Sequence, residues 1–168
     1  MLFRSNGGDL AGKCFVGDYN NSGAWDCFFK YFKVAKDCGT GTGCFYDNGI
    51  GDYSSYSYLT NGERLPFYDL DRDPSYKVTL TNGMSILLQN FNEDCSYESV
   101  NYCAGIYFDI NGVKPPNMLG RDLFTLDIKR NGVYIFSYID YPNTCVLETG
   151  DNGFCCLSRL VQERKMGY

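Results

Sequence analysis

The residues best suited to chemistry in this chain are its cysteines. The 168-residue sequence contains nine cysteines and no histidine. Without histidine there can be no Ser-His-Asp or Cys-His catalytic pair and no histidine-ligated zinc or haem. The cysteines form no C-x-x-C motif, which argues against a zinc site and favours disulfides. Because disulfides persist in oxidising compartments, the sequence predicts an exported protein.

Loop lengths indicate which cysteines pair, although eight paired cysteines formally allow 105 connectivities. Cys38 and Cys44 flank a flexible Gly-Thr-Gly-Thr-Gly segment, and the residues between Cys95 and Cys103 form a short polar loop. A further local bridge would connect the residues before the first predicted helix to that helix. The predicted local pairs are Cys38–Cys44, Cys95–Cys103 and Cys14–Cys27.

Oxygen-bearing side chains cluster in the middle of the chain, where Asp109, Asn111, Asn117 and Asp122 offer the ligand type that calcium prefers. The EF-hand pattern is not met there, and Asx turns with a positive-φ glycine would explain the same residues as a structural corner. The carboxylates of Asp69-Leu-Asp-Arg-Asp73 similarly indicate a solvated acidic turn, with Arg72 as the local counter-charge. We expect no cofactor, with calcium at the four central residues as the alternative.

Catalysis would need a constellation of activated groups, and none is visible. Paired carboxylates cleave glycosides, and the tyrosines of segment 53–58 could stack on sugars, yet no acid–base pair can be identified from spacing. We therefore predict no enzyme activity and no catalytic or cofactor-binding residues. A secreted glycosidase-like enzyme is the weaker alternative.

The charge and hydropathy of the chain argue against nucleic acid and against a membrane span within this sequence. The chain carries 15 basic and 20 acidic residues, a net charge of −5, and the basic residues are scattered. We expect no nucleic-acid partner, because phosphate neutralisation needs clustered Lys and Arg. No stretch approaches the 18 apolar residues of a membrane span, and the first residues have no signal-peptide pattern. We expect residues 1–168 to be a single ectodomain, contacting a membrane only through an N-terminal hydrophobic helix that this sequence lacks.

Seven Asn-Gly dipeptides predict turns, because this pair tolerates the positive φ angles of hairpin turns. Two of them have alternating apolar flanks, which predict hairpins over 76–89 and 122–138; segment 104–110 is a further β-rich run. The middle of the chain should therefore form an antiparallel sheet of about five strands. Segment 45–75 shows no periodicity and is interpreted as a long loop, and segment 154–164 fits either a helix or a strand.

The first part of the chain instead shows helical spacing. Over 24–36, an apolar stripe opposes three lysines at Lys30, Lys33 and Lys36, and Gly39 would end the helix. The stripe consists of Trp25, Phe28, Phe29, Phe32 and Ala35. The sequence thus predicts an α+β fold in which an N-terminal helix packs on an antiparallel sheet braced by disulfides.

This element order resembles the ectodomain of a type IV pilin or type II secretion pseudopilin. Segment 106–124 is similar to a D-x-N-G-x-x-x-P-N-x-x-G-x-D-x-F block of many pilin-like proteins. Tyr31–Cys38 with Gly43-Cys44 looks like the end of the pilin spine helix and its cysteine loop, and Gly153-Phe-Cys-Cys with Lys165–Tyr168 looks like the closing segment. The family's N-terminal Gly-Phe-Thr-Leu-Ile-Glu-type segment has no match here.

The resemblance implies a structural subunit or minor component of a bacterial type IV pilus or type II secretion pseudopilus, with other pilin or pseudopilin subunits as partners. Its location would be extracellular, at the bacterial cell surface or in the periplasm. The resemblance also implies a C-terminal disulfide loop, in which Cys145 pairs with Cys155 or Cys156. The alternative function is a secreted, adhesin-like binding domain that does not polymerise.

Overall fold

The computed structural model describes residues 28–47, 69–91, 94–96, 102–115, 117–135, 153 and 156–164, and the backbone of 57–60 and 63–66. It contains a 3-10 turn (Phe29–Tyr31) followed by β1 (Val34–Gly39), β2 (Ser57–Thr60), β3 (Glu63–Pro66), β4 (Tyr76–Leu80), β5 (Ser85–Asn90), β6 (Tyr102–Asp109), β7 (Leu123–Lys129), β8 (Gly132–Tyr134) and α1 (Cys156–Glu163). Within these residues no helix is long and apolar enough to cross a membrane.

Six of the strands form one antiparallel sheet in the order β1-β4-β5-β6-β7-β8. The hairpin predicted at Asn82-Gly83 is confirmed, and Val78 pairs with Ile86 across it. The hairpin predicted at Asn131-Gly132 is formed by β7 and β8. Local alternation and turn chemistry were sufficient to place these strands because each hairpin brings together neighbouring segments of the chain.

Both faces of the sheet bury apolar side chains. On one face, Val78, Leu80, Ile86 and Leu88 share a core cluster with residues from β6 and β7. Leu87, which points the opposite way from its neighbours in β5, belongs to a second cluster on the other face. A strand buried on both faces needs a nearly continuous apolar run, as Ser85–Asn90 has at its centre.

The predicted N-terminal helix packed on the sheet is wrong within the described residues. The chain forms only a 3-10 turn at Phe29–Tyr31 and then extends into β1, which pairs with β4 at the edge of the sheet. Phe28 and Phe29 of the apolar stripe are buried, but Phe32 is 44% exposed, while Trp25 lies outside the described residues. Aromatic and β-branched side chains such as Phe32 and Val34 favour extended structure, and pairing with β4 satisfies the backbone groups of this segment in place of helical hydrogen bonds.

Two further segments refine the sequence interpretation. The expected loop over 45–75 contains the antiparallel pair β2 and β3, which flank the dipeptide Asn61-Gly62. The ambiguous C-terminal segment is the short helix α1, whose Cys156 and Leu157 pack with Phe124 of β7. The described fold is therefore an antiparallel sheet with one short C-terminal helix.

Candidate functional site

The predicted central corner connects β6 to β7 and begins with Asp109. This side chain is fully buried, and its Oδ1 accepts a hydrogen bond from the Asn111 amide at 3.0 Å, as an Asx turn requires. Gly112 follows with φ +64°, and a Cβ there would collide with the carbonyl oxygen of Gly83. The corner therefore packs directly on the turn between β4 and β5, and only glycine fits at the contact.

Asp122 closes the other side of the corner. Its Oδ2 accepts hydrogen bonds from the Asn117 amide at 2.7 Å and from Asn111 Nδ2 at 3.1 Å, and its Oδ1 accepts from the Met118 amide at 2.6 Å. Asp122 is 4% exposed, so these N–H donors replace water as the hydrogen-bonding partners of its carboxylate. Asn117 itself adopts a left-handed backbone conformation with φ 54°, which asparagine tolerates better than most residues.

The four calcium candidates thus lie together, but their contacts are hydrogen bonds that connect the residues of the corner to one another. Asn111 contacts both carboxylates, and Asn117 contacts Asp122 through its backbone amide. The Oδ1 atoms of Asn111 and Asn117 are buried and accept no hydrogen bond within the described residues. Within the same residues, no group of three or more Cys, Asp or Glu side chains is placed to hold a metal ion.

The acidic turn at 69–73 is buried where the sequence suggested that it is solvated. Asp71 is 1% exposed, and its carboxylate accepts the amide hydrogens of Gly43, Cys44 and Phe45 at 2.7–3.0 Å. Arg72 pairs with Asp69, as expected, and also with Asp47. The turn therefore fixes a segment that lies almost thirty residues earlier in the chain.

Lys77 supplies the buried positive charge beside this turn. Its side chain is fully buried, and its ammonium donates to the carbonyl oxygens of Asp73 and Ser75, the latter at 3.0 Å. Burial lowers the pKa of Lys77, while the neighbouring Asp73, Asp71 and Asp69 oppose that shift. The Lys77 ammonium is therefore held against two backbone carbonyl oxygens at the end of the turn.

Disulfides join Cys38 to Cys44 and Cys95 to Cys103, the two pairs that loop length predicts. Cys156 also forms a disulfide, and its partner lies outside the described residues because the other four described cysteines are paired with each other. Cys14, Cys27, Cys145 and Cys155 are likewise outside them, so the remaining predicted pairs stay predictions. The disulfides indicate an oxidising environment.

A cavity of about 460 Å³ lies between the corner, the β4–β5 turn and the first disulfide loop. This volume is within the usual range for small-molecule sites. Its lining residues are Lys36, Gly43, Thr79, Asn82, Gly83, Ile110, Asn111, Val113 and Lys114. Among the described residues, the lining includes two lysines and no carboxylate, in a chain that is acidic overall.

No local sequence pattern indicates this cavity, because its two lysines are separated by 78 positions and belong to different parts of the fold. Only Asn111, a predicted calcium ligand, appears in both the predicted site and the cavity lining. Comparison with known proteins adds no analogue of either feature: no family model, no curated protein and no solved structure matches the chain.

Proposed function

We propose that this chain is an exported structural subunit of a pilin-type fibre, either a type IV pilus or a type II secretion pseudopilus. What carries the proposal is the corner at 106–124, the segment on which the resemblance to pilin-like proteins is most specific. Its Asp, Asn and Gly residues are the positions at which the corner is built: Asp109, Asn111, Gly112 and Asp122 each make a contact that defines it.

The N-terminal segment does not support this proposal. Residues 29–39 form a turn and an edge strand, so they no longer supply a likeness to a pilin spine helix. The support rests on the corner, on the disulfides expected of an exported domain, and on the surface at the two edges of the sheet.

The two edges of the sheet both expose large apolar side chains. Beside and within β1, Tyr31 and Phe32 are 58% and 44% exposed and Val34 is 36% exposed. At the opposite edge, Val133 and Tyr134 of β8 are 52% and 40% exposed. Contact between two different surfaces of identical subunits generates open filaments when the rotation does not close. Apolar side chains at opposite edges suit such a head-to-tail contact.

The test is assembly of the natural gene product in its own host. The full reading frame, including any codons upstream of Met1, would be expressed, and surface fibres would be counted by electron microscopy. We expect fibres that contain this chain, and we expect Phe32→Asp and Val133→Asp each to abolish them while the chain is still exported.

Val161→Asp is the matched control, because Val161 is 56% exposed on α1 and belongs to neither edge. Fibres should survive this substitution. A chain that is exported but stays monomeric would contradict the proposal and favour the alternative, a binding domain that does not polymerise. Equal loss of fibres in all three variants would show that the sheet edges have no special role.

A further inference from the structure

The cavity between the corner and the β4–β5 turn presents an excess of hydrogen-bond donors. Lys36 Nζ donates to the carbonyl oxygen of Gly43 at 2.7 Å, which fixes the ammonium and leaves two of its three N–H groups for another partner. Lys114 is exposed and forms no ion pair within the described residues. Two positively charged side chains therefore line a space to which the described residues contribute no carboxylate.

The amide groups at the cavity add to this excess. Asn82 Oδ1 accepts the Met84 amide at 3.1 Å, whereas its Nδ2 donates no hydrogen bond within the described residues. Asn111 uses its Nδ2 on Pro115 O and Asp122 Oδ2, so this side chain is held by the corner. The Asn111 Oδ1 atom is buried, so the exposed polar side chains of the lining are Lys36, Asn82 and Lys114. The side-chain groups that they leave for a ligand, two ammonium groups and one amide N–H₂, are all donors. Such a set recognises an anion.

Aliphatic side chains complete the wall. Ile110 and Val113 line the cavity and are 46% and 51% exposed, so apolar surface lies beside the donors. A bare inorganic anion would leave this surface in water, whereas an organic anion would cover it and gain the free energy of apolar burial. The mixture of a few placed polar groups with apolar wall is typical of small-molecule sites.

We propose that this cavity binds a small organic carboxylate. Its carboxylate group accepts hydrogen bonds from Lys36, Lys114 and Asn82, and its branched aliphatic part lies against Ile110 and Val113. The ligand is either a free acid or the C-terminal residue of a peptide, which share this chemistry. The proposal goes beyond the fibre function and does not depend on it, because the cavity is formed within one subunit.

The test is an NMR titration of the uniformly labelled chain with isovalerate, following the amide signals of Gly43, Gly83 and Val113. The uncharged isovaleramide and inorganic phosphate serve as comparison probes, and N-acetylvaline represents a peptide C-terminus. We expect saturable shifts with isovalerate or N-acetylvaline and at least tenfold weaker binding of isovaleramide and phosphate. The stronger of the two acids identifies the source of the ligand.

Substitutions at lysine separate this site from general charge attraction. Lys114→Gln and Lys36→Gln should each weaken carboxylate binding at least tenfold. Lys33→Gln is the matched control, because it removes the same charge from an exposed lysine outside the cavity and should leave the affinity unchanged. Equal weakening in all three variants, equal binding of isovaleramide, stronger binding of phosphate, or no binding by either acid would each overturn the proposal.

Discussion

Gly153 packs against Gly120 so closely that neither position has room for a side chain. A Cβ on Gly120 would lie 2.8 Å from Gly153 Cα and 2.9 Å from Cys156 Sγ, and a Cβ on Gly153 would collide with the carbonyl oxygen of Leu119. Both glycines have positive φ, at 82° and 77°. Gly153, which precedes α1, therefore contacts the end of the corner through its backbone.

Substitution of Gly120 tests this contact. Gly120→Ala should lower the free energy of unfolding by about 2–5 kcal/mol, since a left-handed backbone costs about 1–2 kcal/mol and overpacking about 1–3 kcal/mol. Gly39→Ala is the control, because Gly39 has φ +53° and nothing within 4 Å of the added Cβ. Gly39→Ala should lose only the free energy that the left-handed backbone conformation costs. Equal losses in urea denaturation would show that the close approach adds nothing.

The corner depends on Asp122 as an acceptor. In Asp122→Asn one carboxylate oxygen becomes an N–H₂ group that faces backbone donors, so we expect a loss of about 2–3 kcal/mol in the free energy of unfolding. Asp94→Asn is the comparison, because Asp94 also accepts an amide hydrogen, from Ser96, but is exposed. Its loss should be clearly smaller. A similar loss of unfolding free energy in both variants would mean that burial does not strengthen the contribution of the Asp122 hydrogen bonds to stability.

Calcium binding at the corner can be tested by thermal unfolding. The N–H groups that point at Asp122 already neutralise part of its charge and would repel a cation placed beside it. We therefore expect millimolar calcium to leave the melting temperature unchanged relative to excess chelator. Ligands of the native state raise that temperature. A calcium-dependent rise that Asp109→Asn abolishes would instead assign the metal to Asp109 and the Asn111 and Asn117 oxygens.

Much of the sheet could be predicted from the sequence because its signals are local. The hairpin around Asn82-Gly83 needs only a turn dipeptide and alternating apolar residues on either side. The corner could be recognised in the same way, since Asp109 bonds to Asn111 and Asp122 to Asn117. Each of these pairs is separated by five residues or fewer.

The errors concern contacts between distant segments. Val34 pairs with Leu80, so β1 is stabilised by a partner strand that the local pattern of aromatic residues and lysines does not reveal. The same pattern of aromatic residues and lysines is compatible with a helix, and only the pairing with β4 favours a strand. The local sequence does not reveal that Asp71 is buried, because its three amide partners, which begin at Gly43, lie almost thirty residues earlier in the chain. The cavity was missed for the same reason.

Asp127 gives the chain a specific pH dependence. Burial raises the pKa of this carboxyl group above its ordinary value of 3.8, against smaller opposing effects of Tyr102 and Lys129. Between 3.8 and the raised pKa, the folded state keeps a proton that the unfolded state has lost, so stability falls as pH rises through this window. Asp127→Asn should therefore raise the melting temperature at pH 7, and the difference should shrink below pH 3.8. A variant that is less stable at pH 7 would show that the contact with Tyr102 outweighs burial.

The odd number of cysteines leads to the last prediction. Nine cysteines leave at least one that is unpaired or joined to another chain. The structure places Cys38, Cys44, Cys95, Cys103 and Cys156 in disulfides, which excludes them. If the predicted Cys14–Cys27 pair forms and Cys145 is the partner of Cys156, the remaining thiol is Cys155. Denaturation without reductant, followed by thiol alkylation and peptide mapping, should then label Cys155 alone. Label at Cys145 would show that Cys145 is not the partner of Cys156. Label at Cys38 or Cys95 would contradict the described disulfides and the oxidising compartment inferred from them.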